Sequence, residues 1–226
     1  MNEVAMNEMD YPPERTGLVL VDPYNDFLSE GGKIWPRVKD VAEAVGLHRH
    51  LRDLLAGVRA AGIQVFIAPH RRWHPGDVDG WTRARRPHRL LREDRLYEAG
   101  AFGGEWHPDF GPRDGDVVSS EHWAMNGFAH TDLDQQLRQH GIDNIILAGM
   151  TAPGCVEGTG RYAMELGYAV TLVRDATAAF TMEHQHAATE LSGPLYAEAV
   201  LRTDEVLRQI RFGSSLAGQN QVEAAT

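Results

Sequence analysis

The strongest constraint on the fold is the alternation of short apolar runs with helical patterns in the second half of the chain. The run NIILAG at 144–149 is followed by a helical pattern at about 154–166, which ends at Gly167, and then by the run AVTLV at 169–173. Strands that alternate with helices of this length form right-handed βαβ units. The order therefore predicts an α/β fold around a parallel sheet.

The other apolar runs fit the same sheet. GLVLV at 17–21 is apolar throughout, which is typical of a parallel strand covered on both faces. Further strands are predicted at 63–68, at 116–120 and near 197–203, which makes six strands. Helices are predicted at about 36–61, 131–140, 181–191 and 204–210.

The length of the chain, 226 residues, fits one large domain. We predict a domain over 16–212 between flexible tails at 1–15 and 213–226. The segment at about 69–113 is too long for a structureless connection in a compact domain. We call it the arm, and we expect it to contain short helices and to form a lid or pocket wall.

The composition limits the classes of partner. The chain has 42% hydrophobic and 24% charged residues and no apolar run of about 18 residues, so we expect a soluble protein without a membrane partner. The N-terminus lacks the pattern of a secretory signal, and one cysteine cannot form an intrachain disulfide, which together predict a cytoplasmic protein. The net charge of -10 argues against nucleic acid as a partner. A small-molecule substrate is the expected ligand.

Chemically active side chains follow several of the predicted strands, where parallel α/β sheets bind ligands. Asp22 follows the first strand, His70 the second, and Cys155 lies in the turn after the fourth. A cysteine at a helix N-terminus is expected to have a lowered pKa, and the free N–H groups there can bind an oxyanion. We interpret Cys155 as catalytic; the alternative is a small buried apolar residue.

Two segments carry a family resemblance. LVLVDPYNDF at 18–27 and GIDNIILAGMTAPGCVEGTGRYAMELGYAVTLVRDATAAF at 141–180 resemble the isochorismatase-like cysteine hydrolase superfamily, which includes nicotinamidases, N-carbamoylsarcosine amidases and streptothricin hydrolases. The resemblance spans roughly 16–203. It implies a three-layer α/β/α sandwich with a six-stranded, mostly parallel sheet, a homo-oligomer, and hydrolysis of an amide or related C–N bond.

The resemblance also implies roles for individual residues. Cys155 would attack the substrate and form a thioester, and Asp22 would act as acid and base. The N–H groups of Thr151 and Cys155 would form the oxyanion hole, beside a cis peptide between Met150 and Thr151. No cofactor is expected. The alternatives are acid catalysis by Asp22 without the thiol, as in isochorismatase-type hydrolysis of a vinyl ether, and a repurposed or degenerate member.

The chain departs from the family at the third catalytic position. The resemblance implies a lysine at the end of the third strand, but the two lysines of this chain, Lys33 and Lys39, lie far upstream. Counting forward from the start of the strand places Ser120 there, whereas counting back from Phe128 places His122 there. Ser120 would supply no positive charge, whereas His122 could when protonated, and Arg71 or another arginine of the arm could also reach the site. Ser120 and His122 both remain candidates at this point.

The expected substrate contacts lie near the same edge of the sheet and in the arm. They are Tyr24, Phe27, His70, Arg71, Trp106, Glu121, Trp123 and Asn126. The arm also carries His74 and Asp77, but their spacing from His70 differs from the Asp-x-His pattern of metal-binding nicotinamidases, and we expect no metal.

Overall fold

A six-stranded, all-parallel sheet forms the centre of the protein, as the computed structural model of residues 9–210 shows. The strand order is β3-β2-β1-β4-β5-β6. The strands are β1 (Thr16–Val21), β2 (Gln64–Ala68), β3 (Val117–Val118), β4 (Asn144–Met150), β5 (Ala169–Ala178) and β6 (Ala199–Leu201). The predicted α/β class and the six parallel strands are confirmed.

Helices connect these strands. They are α1 (Asn25–Leu28), α2 (Trp35–Val45), α3 (Leu47–Ala60), α4 (Arg86–Glu93), α5 (Leu133–Gln139), α6 (Glu157–Glu165), α7 (Met182–His186) and α8 (203–210). The single helix predicted at 36–61 is wrong. Gly46 adopts a left-handed φ of 69°, which ends α2 and turns the chain into α3.

The two faces of the sheet carry separate cores. Leu18 and Leu20 of β1 face one way and share a core with α2, α3 and α8. Val19 and Val21 face the other way and share a core with α5 and α6. Because side chains alternate along a strand, a continuously apolar β1 supplies both cores, and the three layers follow from this.

Two details near β4 differ from the predicted elements. The segment predicted to begin a helix at 154 opens as a wide π-helical turn over Ala152–Val156, and the regular helix α6 begins at Glu157. Strand β5 is longer than predicted, and its pairing with β4 shifts register between Leu147 and Gly149. The Met150–Thr151 peptide is cis, as the resemblance implied.

The arm contains α4 and a 3₁₀ turn at Phe102–Gly104, in agreement with the expectation of short helices. The predicted tail at 213–226 and most of that at 1–15 lie outside the described residues. Within 9–15, Tyr11 is buried and its hydroxyl lies 3.0 Å from Thr171 Oγ1, so packing against the sheet begins before residue 16. Among residues 9–210, no helix is both long enough and apolar enough to span a bilayer.

Candidate active site

Asp22 is the first polar side chain at the carboxyl edge of the sheet. Its backbone N–H extends the pairing of β1 by donating to the carbonyl of Ala68 at 3.1 Å. Its φ of 53° is left-handed, a region that aspartate enters more readily than most residues with a side chain. Asp22 is 0% exposed, so the turn after β1 buries a carboxylate at the edge where ligands bind.

His122 lies directly beside this carboxylate. Pairing with the chain after β2 continues past β3, because His122 N–H donates to the Pro69 carbonyl at 2.9 Å and its own carbonyl accepts from Arg71 N–H at 2.7 Å. The ring Nε2 lies 3.0 Å from Asp22 Oδ1, and neither side chain is exposed. Since an ionised carboxylate only accepts hydrogen bonds, we assign the proton of the ring to Nε2.

Cys155 completes the group from the turn after β4. The Thr151 carbonyl accepts from the N–H groups of Gly154 at 3.0 Å and Val156 at 3.3 Å, which closes the turn around the thiol. Cys155 is 7% exposed, and its Sγ lies 3.5 Å from the carbonyl oxygen of Ala124. One donor atom from each of Asp22, His122 and Cys155 lies within 4.8 Å of the other two.

The pKa of the Cys155 thiol is raised well above its ordinary value, so the predicted lowering is wrong. Burial is the largest cause, and the negative charge of the nearby Asp22 carboxylate adds to it. The backbone N–H groups of Cys155 and Thr151 lower the pKa but do not outweigh these two effects. The resting cysteine is therefore a neutral thiol with a carboxylate beside it.

The same two N–H groups are those that the resemblance implied for the oxyanion hole. Both lower the pKa of the Cys155 thiol, the direction expected of N–H groups that face the sulfur. Donors that face a nucleophile in this way are placed to reach an oxyanion formed on the carbon that it attacks. The role of Thr151 and Cys155 in an oxyanion hole stays a prediction.

A cavity of about 420 Å³ opens above the thiol. Its floor contains Cys155, Gly154 and Thr151. Its walls are mainly apolar side chains from α1, the arm and the segment before α7: Phe27, Leu90, Leu91, Leu96, Tyr97 and Phe180. Cavities of this size with apolar walls and a few polar groups are typical of small-molecule sites.

Two of the predicted substrate contacts, Phe27 and His70, line this cavity. Burial, together with the neighbouring His122, lowers the pKa of His70 to about 4, so its ring is neutral near pH 7. Tyr24 lies behind the wall: its hydroxyl donates to the His70 carbonyl at 3.0 Å, and its ring stacks on Trp106 at 4.7 Å. Tyr24 and Trp106 therefore support the wall rather than line it.

Three other predicted contacts hold the arm together and do not line the cavity. Arg71 forms ion pairs with Asp77 at 3.0 Å and with Glu121 at 3.3 Å. Its guanidinium also lies 5.0 Å from the centre of the Trp123 ring. The predicted contact Asn126 is likewise used locally, since its Oδ1 accepts from Phe128 N–H at 2.8 Å.

Ser120, the other candidate for the family lysine, points away from the thiol. Its residue is exposed, and its hydroxyl donates to Asp132 Oδ1 at 2.8 Å. The side chain next to Asp22 is that of His122, whose Nε2 lies 3.0 Å from Asp22 Oδ1. Ser120 thus acts in the turn before α5 and not with Asp22.

The histidines of the arm do not form a metal cluster with Asp77. The Asp77 carboxylate accepts from Arg71 and from the backbone N–H of His74, and His70 Nδ1 lies 3.0 Å from the Arg71 carbonyl oxygen. Within residues 9–210, the side chains that could together bind a metal ion are those of Asp22, His122 and Cys155.

Several lining residues were not predicted. Tyr97 is buried in the wall with a left-handed φ of 52°, and Arg37, Arg86 and His184 surround the opening. No local pattern singled them out, because they come from α2, the arm and α7, which only the folded chain brings together. For Arg86, the one signal in the sequence was the excess of arginine in the arm.

Comparison with known proteins agrees with this geometry. The isochorismatase domain matches residues 16–204. The uncharacterized isochorismatase family protein YwoC of Bacillus subtilis is 36% identical over 209 residues, which cover 91% of this chain and 100% of that protein. The ureidoacrylate amidohydrolase RutB of Pantoea ananatis is 30% identical over 178 residues, 74% of this chain and 70% of that protein.

A solved structure shares the fold. The crystal structure of a cysteine hydrolase from Pseudomonas syringae pv. phaseolicola matches with a TM-score of 0.77 and 25% identity, over 94% of this chain and 100% of that one. With the sheet order, the buried Asp22 and the turn at Cys155, these matches lead to one conclusion. The chain belongs to the isochorismatase family of hydrolases.

Proposed function

We propose that the protein is a cysteine hydrolase that cleaves an amide or related C–N bond of a small molecule. The observation that carries this proposal is the meeting of the Cys155 thiol, at the floor of an apolar cavity, with the Asp22 carboxylate and the His122 imidazole buried beside it. The similarity to an amidohydrolase and to a cysteine hydrolase supports it.

The reaction begins with a neutral thiol. As Sγ attacks the substrate carbonyl carbon, Asp22 accepts the thiol proton, and the N–H groups of Thr151 and Cys155 stabilise the oxyanion. The C–N bond breaks while Asp22 returns the proton to the leaving nitrogen, which leaves a thioester on Cys155. Water then attacks the thioester as Asp22 takes one of its protons, and return of that proton to sulfur releases a carboxylic acid.

His122 acts on Asp22 in this scheme. Its Nε2–H donates to Oδ1 at 3.0 Å and fixes the orientation of the carboxylate. The other carboxylate oxygen, Oδ2, is left to exchange protons with the thiol and the leaving group. His122 is therefore a positioning residue, in the place where the resemblance implied a lysine.

The test is to trap the thioester. We would incubate the protein with a panel of small amides, ureido compounds and carboximidamides and record its intact mass after rapid acid quenching. The expected result is turnover with an acyl adduct that maps to Cys155 and is absent from Cys155→Ala. Turnover that survives Cys155→Ala would reject the thioester and favour acid catalysis by Asp22.

The rim of the cavity indicates the charge of the substrate. Arg37 and Arg86 stand at the opening, and within residues 9–210 neither forms an ion pair. No described carboxylate lines the cavity. In a chain with a net charge of -10, this basic opening favours an amide with an apolar body and an anionic end.

We therefore expect Arg37→Gln and Arg86→Gln each to raise KM about three- to tenfold for an anionic amide. The effect is modest because an exposed pair of opposite charges contributes little binding free energy. The KM for a neutral amide of the same shape should not change. Arg89→Gln is the matched control, because Arg89 lies on α4 but does not line the cavity. Steady-state kinetics with both amides make the comparison, and equal effects on the two would contradict the assignment.

A further inference from the structure

The group formed by Cys155 at the floor of the cavity and by the buried Asp22 and His122 beside it has a second chemical property. A thiolate, an imidazole and a carboxylate are the three ligand types that proteins use for Zn²⁺. The geometry points to a site for Zn²⁺, or another thiophilic divalent cation, on Asp22, His122 and Cys155, at which the bound ion blocks hydrolysis. This inference goes beyond the proposed function: binding of the ion does not require that function, whereas the block of hydrolysis rests on it.

The spacing of the donor atoms suits such an ion. Zn²⁺ binds sulfur at about 2.3 Å and nitrogen or oxygen at about 2.0–2.2 Å, so tetrahedral ligands lie about 3.3–3.7 Å apart. In the protein, His122 Nε2 and Asp22 Oδ1 are 3.0 Å apart, and the three donors lie within 4.8 Å of one another. Shifts of about 1 Å in the side chains would bring all three to ligand distance of one ion.

An unsatisfied atom also points to a ligand here. Asp22 Oδ2 is buried and has no hydrogen-bond partner of normal geometry within residues 9–210. A buried carboxylate oxygen without a partner costs free energy, and a bound cation would remove that cost. The atom belongs to the side chain that already contacts His122 Nε2 through its other oxygen.

The charges and protons of binding balance. The S–H bond of Cys155 breaks, its proton leaves to solvent, and the thiolate binds the ion. His122 binds as a neutral ring through Nε2 while its proton moves to Nδ1, and Asp22 binds as an anion. The thiolate and the carboxylate together neutralise a dication, so the complex in this buried site carries no net charge, whereas the empty site carries the charge of the Asp22 carboxylate.

The position of the group explains both access and inhibition. Cys155 forms part of the floor of the 420 Å³ cavity, so an ion can enter by the substrate's route. Three protein ligands leave the fourth tetrahedral position toward the cavity, for water. A sulfur and a carboxylate that both bind the ion can neither attack a carbonyl nor transfer a proton.

Cobalt(II) provides a readout that is independent of activity. We would titrate the full-length reduced protein, freed of metal with a chelator, with Co²⁺ and record absorption spectra. The expected result is one equivalent bound with visible bands of a four-coordinate ion and a near-ultraviolet thiolate-to-cobalt band. Zn²⁺ should displace Co²⁺, and calorimetry in buffers of different ionisation enthalpy should show one proton released per Zn²⁺.

The variants identify the ligands. Cys155→Ala should lose the thiolate band, and His122→Gln should weaken Zn²⁺ binding at least about 100-fold, since even the loss of an outer partner of a ligand costs 10- to 100-fold. His140→Gln is the control for binding to surface histidines, because His140 is exposed and distant in the sequence from all three ligands. Near-ultraviolet circular dichroism and thermal unfolding check that each variant is folded.

The outcomes are separable from those of the hydrolase proposal. A thiolate band that is lost in Cys155→Ala, with inhibition by Zn²⁺ that a chelator reverses, supports the site. Binding that persists unchanged in folded Cys155→Ala and His122→Gln, or the absence of a thiolate band in the wild type, overturns it. If no substrate is turned over, the cobalt spectra still decide between these results.

Discussion

Replacing Asp22 with asparagine is expected to lower kcat about 10³- to 10⁴-fold, the upper part of the range for loss of a general acid and base. The reason is that one carboxylate serves both steps: it takes the thiol proton during attack and returns it to the leaving nitrogen. The raised pKa of the Cys155 thiol makes this dependence strong, since few molecules carry a thiolate without help. Steady-state and single-turnover kinetics on a substrate from the panel measure the loss.

The same variant should change the reactivity of the thiol in the opposite direction. The Asp22 charge is one cause of the raised pKa of Cys155, and asparagine removes it. The pKa of the thiol then falls, the thiolate fraction at a given pH rises, and alkylation by iodoacetamide should accelerate at least about tenfold. Mass spectrometry of the alkylated protein against time, from pH 7 to pH 10, gives the rates.

This pair of results distinguishes catalysis from damage to the fold. A misfolded variant would lose turnover and would expose the thiol, so that its alkylation would follow the ordinary thiol pKa of about 8.5. Loss of turnover together with faster alkylation and an unchanged thermal unfolding temperature would assign the proton transfer to Asp22. Unchanged kcat in Asp22→Asn would remove Asp22 from the mechanism.

The residues at the edge of the sheet were accessible from the sequence because they come directly after strands. Asp22 and Cys155 stand beyond apolar runs whose parallel arrangement is fixed by the helices between them. His122 was accessible only as one of two alternatives, since β3 is two residues long and gives no alternation to orient the side chains beyond it. Pairing of His122 with the chain after β2 decides its direction, and that contact joins distant segments.

The pKa of Cys155 could not be predicted from its place in the chain. The position of Cys155 at the start of a predicted helix predicted a stabilised thiolate. The regular helix, however, begins two residues after Cys155, at Glu157. Burial of the sulfur and the nearby Asp22 charge depend on the packed structure. The cavity walls share this dependence, because Tyr97 of the arm and Phe180 after β5 line the same cavity as Cys155 only in the folded chain.

The motif NDF at 25–27 has a structural role, although it lies close to Asp22 in the sequence. The Asn25 side chain donates to the Phe102 carbonyl at 3.0 Å. Asp26, 1% exposed, accepts from the backbone N–H of Lys33 at 2.8 Å and from that of Tyr97 at 2.7 Å. These side chains therefore attach the arm to α1 and do not meet the thiol. The segment from Asp22 to Asp26 thus joins the proposed catalytic acid to the anchor of the cavity wall.

Replacing Asp26 with alanine is accordingly expected to lower the free energy of unfolding by about 3 to 5 kcal/mol. Two charge-assisted hydrogen bonds are lost, each worth about 1.5–3 kcal/mol, and the buried N–H of Tyr97 and the partly buried N–H of Lys33 are left without an acceptor. Urea unfolding measures the change. Asp114→Ala is the matched control, because Asp114 is an exposed loop carboxylate and should change the value by no more than about 0.5 kcal/mol.

The same substitution should weaken substrate binding, because the Tyr97 N–H that Asp26 holds belongs to a residue of the cavity wall. Hydrogen exchange of the Tyr97 amide should become faster in Asp26→Ala, and KM should rise more than kcat falls, since the Cys155 floor follows β4 and is not part of the arm. A stability loss below about 1 kcal/mol, the worth of one ordinary hydrogen bond, would mean that the arm is held by its apolar contacts alone. Slow exchange at Tyr97 despite a large stability loss would place the effect of Asp26 in α1 instead of the arm.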